Sequence, residues 1–181
     1  MLCSTGMSTE SEIQAGVQFL RKKGAQFVLL HCNSTYPSPF KDINLNYLKR
    51  LREIAGFPIG YSGHERGINI AVSAVSMGAR VIEKHLTLDR GMEGNDHKVS
   101  LLPAELREMV DAVRQVEQAL GTDEPRQITQ GELINRESLG KSLVTGQPIK
   151  EGETIRPDMI EVKSPGKGLP PYRKNELVGV I

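Results

Sequence analysis

The sequence contains no tryptophan and only four phenylalanines and four tyrosines, so any core it forms must be built from aliphatic side chains. Cysteine is nearly absent as well. Cys3 and Cys32 each sit in an apolar stretch, which excludes a disulfide framework and leaves two buried thiols as the simplest reading. Neither sign of charge is in excess: with 23 Lys and Arg against 22 Asp and Glu, there is no basic balance to drive binding to nucleic acid or anionic membrane. No apolar run approaches the roughly 18 residues needed to span a bilayer. Residues 1–10 lack the basic start and apolar stretch of a secretion signal, so a cytoplasmic location is expected. The rest of the composition, 181 residues with 38% apolar and 25% charged, describes an ordinary globular chain of one to one and a half domains.

A repeated pattern occupies the first two-thirds. Residues 2–5 form a short apolar stretch ended by Gly6, and Thr9-x-x-Glu12 is a capping box before Ile13, Val17 and Leu20, with Gly24 as the stop. Residues 27–31 are a continuous apolar run, followed after a turn-rich segment by Leu45, Leu48, Leu51 and Ala55 at helical spacing. The pattern predicts a third strand over 58–62, a helix carrying Ile68, Ala71, Val72 and Val75, a fourth strand over 80–86, and a long helix from Pro103 to Leu120 stopped by Gly121. Apolar strands alternating with amphipathic helices imply a parallel α/β sheet. A (β/α)8 barrel needs ~240 residues at this spacing, so residues 1–121 are expected to be four βα units, half of such a TIM barrel, and the chain a fragment. Residues 122–135 read as a polar linker. From residue 136 onward, short apolar stretches broken by Gly and Pro predict a small, incomplete β module reaching residue 181.

Parallel α/β folds place their chemistry where the strands end. His64 and His85 end adjacent predicted strands, an arrangement able to hold a divalent metal with positions left for water and substrate. Two histidines without a His-x-His or His-Glu-x-x-His spacing are more often hydrogen-bonded surface or core residues, and His31 and His97 read as satisfied histidines or substrate contacts. Ser4, Ser34 and Ser62 stand next to strand ends, where hydroxyls and backbone N–H groups suit a phosphate or carboxylate or simply form turns. The polar loop 89–98 is either a substrate lid or a solvated connection.

Gly60-Tyr61-Ser62-Gly63-His64-Glu65-x-Gly67, then Gly78-Ala79-x-Val81-Ile82-Glu83-Lys84-His85-x-Thr87-Leu88 and Gly94-Asn95-Asp96-His97, resemble the sialic acid synthases, as do Ser4-Thr5-Gly6-Met7 and the Tyr36-Pro37 turn. Residues from Glu137 onward, notably Ile149-Lys150-Glu151-Gly152-Glu153-x-Ile155, Asp158-Met159 and Leu177-Val178-Gly179, resemble the antifreeze-like (SAF) domain that follows the barrel in that family. The resemblance implies condensation of phosphoenolpyruvate with N-acetylmannosamine or a related amino sugar. It implies Mn2+ or Mg2+ on His64 and His85, polarising the sugar aldehyde, with Glu83 in the same pocket as a further catalytic group. Ser4, Ser34 and Ser62 match positions that hold phosphoenolpyruvate, Ser34 being Asn in some members; Asp96 matches an acidic residue on the amino-sugar side, with Tyr36 beside it. A homodimer, with the antifreeze-like domain over the partner's active site, is also implied.

Two departures stand out. The family's first half-barrel, with a catalytic glutamate and lysines for the carboxylate and phosphate, has no counterpart here, so the chain alone is expected to be inactive. Ser164 occupies the position where bacterial members carry a sugar-contacting Arg. The rival readings are a metal-dependent TIM-barrel aldolase or sugar isomerase, and a non-enzymatic antifreeze-like binding module.

Overall fold

The computed structural model describes residues 1–56 and 58–181. They divide into two compact units, Met1–Thr122 and Asp123–Ile181. Among the described residues no helix is long and apolar enough to cross a membrane.

In the first unit, β1 (Leu2–Ser4) leads to α1 (Glu10–Lys22), β2 (Val28–Cys32) to α2 (Tyr47–Ala55), β3 (Ile59–Gly63) to α3 (Asn69–Ser76), and β4 (Val81–Lys84) to α4 (Pro103–Leu120). All three strand pairs are parallel and the sheet order is β1-β2-β3-β4, the sheet of half a (β/α)8 barrel. Helix α1 begins where the sequence requires it to. The Thr9 backbone N–H donates to Glu12 Oε2 at 2.7 Å and the Glu12 N–H donates back to Thr9 Oγ1 at 3.4 Å, the reciprocal capping box. Helix α2 starts at Tyr47, and the N–H groups of Tyr47, Leu48 and Lys49 are taken by the carbonyls of Asn44, Leu45 and Asn46, a turn tighter than α-helix.

Successive side chains of a strand face opposite sides of its sheet, and here the two sides differ in character. Leu29, Ile59 and Tyr61 pack with Ile13, Val17, Leu48, Leu51, Ala71, Ala74 and Met109 into the helix-side core. On the other face Leu30, fully buried, lies over Gly60, where an added Cβ would meet Leu30 Cδ2 at 2.3 Å and Val81 O at 2.6 Å. The register aligns Cys32 with Ser62 and Ser62 with Glu83; Ser4, aligned with Leu30, shares their face.

The fourth strand is shorter than expected. Pairing with β3 ends at Lys84, and beyond it the chain pairs with a later segment instead: the Leu101 N–H donates to His85 O at 2.8 Å and the Thr87 N–H to Leu101 O at 2.9 Å.

In the second unit, α5 (Gln130–Leu139) precedes an antiparallel pair, β5 (Ser142–Thr145) and β6 (Ile160–Lys163), and a single helical turn, α6 (Lys174–Leu177), follows. The helix corrects the expectation of a linker over 122–135 and a purely β module after it. It buries no residue, so Leu133, Ile134 and Leu139, all exposed, form no apolar stripe for periodicity to reveal. Its start is nevertheless capped, by Thr129 and Glu132. Met159 and Ile160 are the buried apolar residues of this unit, and Ser142 is buried with them. Its hydroxyl donates to Pro165 O at 2.6 Å and accepts from the Gly168 N–H at 2.8 Å.

Candidate functional site at the carboxyl ends of the strands

His64 and His85 are the first residues after β3 and β4. Their rings lie edge to face with centroids 5.1 Å apart, and the Tyr36 ring joins them at 4.2 Å from His64 and 5.8 Å from His85. His64 is held on both nitrogens. Its Nδ1 lies 2.8 Å from the Asn33 carbonyl and its Nε2 lies 3.1 Å from the Tyr36 hydroxyl. A carbonyl only accepts, so Nδ1 carries a proton; in the neutral ring the lone pair is on Nε2, pointing toward Tyr36 and His85. Burial above all, and then the charges of Cys32, Asp96 and Glu83, raise the Tyr36 pKa above its ordinary value. The phenol therefore keeps its proton near neutrality and donates it to His64.

His85 Nδ1 lies 3.9 Å from Asp96 Oδ2. Asp96 opens a short turn, Asp96–Lys98, whose placement is secured by the Ser100 hydroxyl donating to Asp96 O at 2.7 Å. One row into the sheet, the Ser62 hydroxyl donates to Glu83 Oε1 at 2.7 Å, with Ser62 buried and Glu83 exposed. Ser34 reaches toward β1: a Cβ on Gly6 would fall 2.0 Å from Ser34 Oγ, so only glycine permits this approach. Cys32 Sγ lies 3.7 Å from both Ser34 Oγ and His64 Nδ1.

The structure thus brings Tyr36, His64, His85 and Asp96 into one cluster and sets Ser62 and Glu83 beside it on the same face. Ser4 shares the face but lies on the outermost strand of the order, and its side chain makes no hydrogen bond among the described residues. The two remaining histidines hydrogen-bond elsewhere. His31 is buried on the helix side, with Nε2 donating to Ile43 O at 2.6 Å, and His97 Nδ1 pairs with the Thr87 hydroxyl at 2.7 Å. In the second unit, Lys141 Nζ donates to Ser164 Oγ at 2.9 Å.

Among the described residues no cluster of three or more His, Cys, Asp or Glu side chains is arranged as a metal site; the protein's donors would be the two imidazoles alone. Their ring centroids are 5.1 Å apart, close enough for a nitrogen of each ring to reach one cation. The Asn33 carbonyl also supplies the outer hydrogen bond that a ligating imidazole characteristically makes.

The sequence reading missed the group behind these rings. Lys84 and Glu65 form a buried ion pair, 2.9 Å between Nζ and Oε1, and the Tyr61 hydroxyl donates to Glu65 Oε2 at 2.6 Å. Period-two alternation puts Lys84 on the face opposite Glu83, and a charge predicted on a buried face was the available signal.

A parallel sheet flanked by helices, with polar side chains collected where its strands end, defines a barrel-type α/β protein. The model of the NeuB family matches residues 1–125, and that of the SAF domain matches residues 140–181. The chain belongs to the NeuB family. It is 40% identical to the N,N'-diacetyllegionaminic acid synthase of Campylobacter jejuni, over 100% of this chain and 55% of that protein, and 41% identical to the human N-acetylneuraminate-9-phosphate synthase, over 99% and 50%. The crystal structure of an N-acetylneuraminic acid synthetase from Leptospira borgpetersenii superposes with a TM-score of 0.67 at 39% identity, covering 76% of this chain and 49% of that one. The chain spans about half the length of the curated relatives it matches.

Proposed function

We propose that this chain carries the aldehyde-activating side of a site that condenses phosphoenolpyruvate with N-acetylmannosamine or a related amino sugar, water adding at C2 as phosphate leaves, to give a sialic acid-type product. The observation that carries the reading is the His64–His85 pair, with the Nε2 lone pair of His64 set toward Tyr36 and His85 by the Nδ1–Asn33 hydrogen bond. A divalent cation, Mn2+ or Mg2+, bound there would polarise the aldehyde oxygen and stabilise the charge that develops on it. With a cation held by His64, Tyr36 would give up its hydrogen bond to His64 Nε2 and offer its proton to the sugar. Glu83 and Ser62 form a hydrogen-bonded pair beside the reacting carbons, Ser4 and Ser34 serve the phosphoenolpyruvate, and Asp96 orients the sugar hydroxyls near His85. Fixing two reactants in one geometry removes much of the entropic barrier.

Residues 1–121 are read as the synthase portion and 136–181 as a module that covers the partner subunit's site in a cytoplasmic homodimer. Sedimentation of the assembled protein tests that arrangement: a dimer is expected, and a monomer with full activity would contradict it.

The catalytic test uses a chimera in which residues 1–181 replace the matching half of the C. jejuni relative. With Mn2+, phosphoenolpyruvate and N-acetylmannosamine or a related N-acyl amino sugar, phosphate release is expected, falling at least about 100-fold in the His64→Ala and His85→Ala forms. A folded chimera that joins or isomerises sugars without releasing phosphate would favour an aldolase or isomerase and overturn the proposal.

A further inference from the structure

The Lys84–Glu65 pair lies on the helix side of the sheet, with the two side chains 1% and 0% exposed. Lys84 Nζ donates to the Glu65 carbonyl at 2.6 Å as well as to its carboxylate, and Tyr61 donates to the second carboxylate oxygen. Burial, then the hydrogen bond to Glu65, pushes the Tyr61 phenol far above its ordinary pKa, so it remains a donor. An ion pair this enclosed is a weak source of stability, because the cost of removing both charges from water offsets most of their attraction.

What the network does fix is position. Glu65 follows His64 and Lys84 precedes His85, while Gly63 and Lys84 are partners in the sheet register. Two hydrogen bonds from Lys84 therefore tie the chain just past β3 to the last residue of β4, directly behind the two rings, and Tyr61 of β3 holds the second carboxylate oxygen. The carboxylate crosses Gly63 so closely that a Cβ there would lie 2.8 Å from both of its oxygens. In front, the backbone of each histidine is anchored separately, His64 O by the Ser38 N–H and His85 O by the Leu101 N–H.

We propose that Tyr61, Glu65 and Lys84 are positioning residues that set the separation of the His64 and His85 rings and, through it, the affinity of the pair for a divalent cation. The second half of this statement rests on the cation reading above. The first does not.

The test replaces the whole network with apolar residues, Tyr61→Phe, Glu65→Leu and Lys84→Met together, so that no buried charge is left unpaired. The full chain is then compared with its parent by thermal melting, by the nuclear Overhauser effect between the two imidazoles, and by Mn2+ titration followed by electron paramagnetic resonance. The variant is expected to melt within a few degrees of the parent, to lose the inter-ring effect, and to bind Mn2+ about 10-fold or more weakly, the scale on which partners behind metal ligands act. Tyr61→Phe alone, which keeps the ion pair, should weaken Mn2+ binding about threefold. A folded triple variant with an unchanged inter-ring effect and unchanged Mn2+ affinity would overturn the proposal, as would an unchanged Tyr61→Phe form if the triple variant does not fold. Loss of the inter-ring effect in a chain whose parent binds no Mn2+ would uphold the positioning role and reject the cation reading.

Discussion

Adjacent residues at the ends of β3 and β4 face opposite ways, and this alternation sorts their chemistry. Glu83 accepts from Ser62 on the site face while Lys84 reaches Glu65 on the helix face; His64 turns to Tyr36 while Glu65 turns to Tyr61. The two histidines are themselves unequal. His64 is 5% exposed, whereas the His85 side chain is 31% exposed. His64→Ala should cost about 1–3 kcal/mol, since it empties the space of a buried ring and removes its hydrogen bonds to Asn33 O and Tyr36; His85→Ala should cost under about 1 kcal/mol. Equal losses in urea unfolding would contradict this account. The positions of both rings were legible because each follows a strand, but the burial of His64 was not: its partners lie 28 and 31 residues away in a turn-rich loop, where local pattern carries no information about distance. His31 gives a pH dependence. Burial lowers its pKa below the usual 6.5, against the opposing effect of its hydrogen bond to Ile43. The unfolded chain takes up a proton near pH 6.5 and the folded chain only at lower pH, so the stabilisation is complete above about pH 6.5 and is lost as pH falls below it. Replacing His31 by Gln should flatten the acid side of the stability profile below about pH 6.5; an identical slope would contradict the assignment.

The elements most fully legible in the sequence are those with chemical end signals. Helix α1 lies between Thr9-x-x-Glu12 and Gly24, and α4 between Pro103 and Gly121, as their residues require. Thr9→Ala should therefore lower stability by about 1 kcal/mol through the exposed donors at the start of α1, seen as a lower thermal midpoint without a change in the sheet signal; no change would show that α1 is held by its packed face alone. The capping box at Thr129 and Glu132 was equally readable, yet the absence of a buried face on α5 hid the helix behind it. Strand β4 was overextended for another reason. Leu86 extends the apolar run of β4, but the backbone on either side of it, at His85 and Thr87, hydrogen-bonds to Leu101, a pairing that no local pattern announces.

At the scale of the whole chain, the α/β class, the four repeated units and the change of texture past Gly121 follow from periodicity and turn chemistry. The family follows from motifs at strand ends, and the NeuB model covers them. The Tyr61–Glu65–Lys84 network did not follow, because the meeting of residues 19 apart depends on the parallel register of β3 and β4. The same register brings His64 and His85 to one rim, and the central claim is that this rim holds a divalent cation. Anomalous diffraction at the manganese edge, from crystals of the protein grown with Mn2+, tests it most directly. The account predicts a single strong peak about 2 Å from Nε2 of His64 and within the same distance of a His85 ring nitrogen, absent in His64→Ala crystals. A fully occupied Mn2+ elsewhere, or a peak that survives the loss of His64, would contradict it.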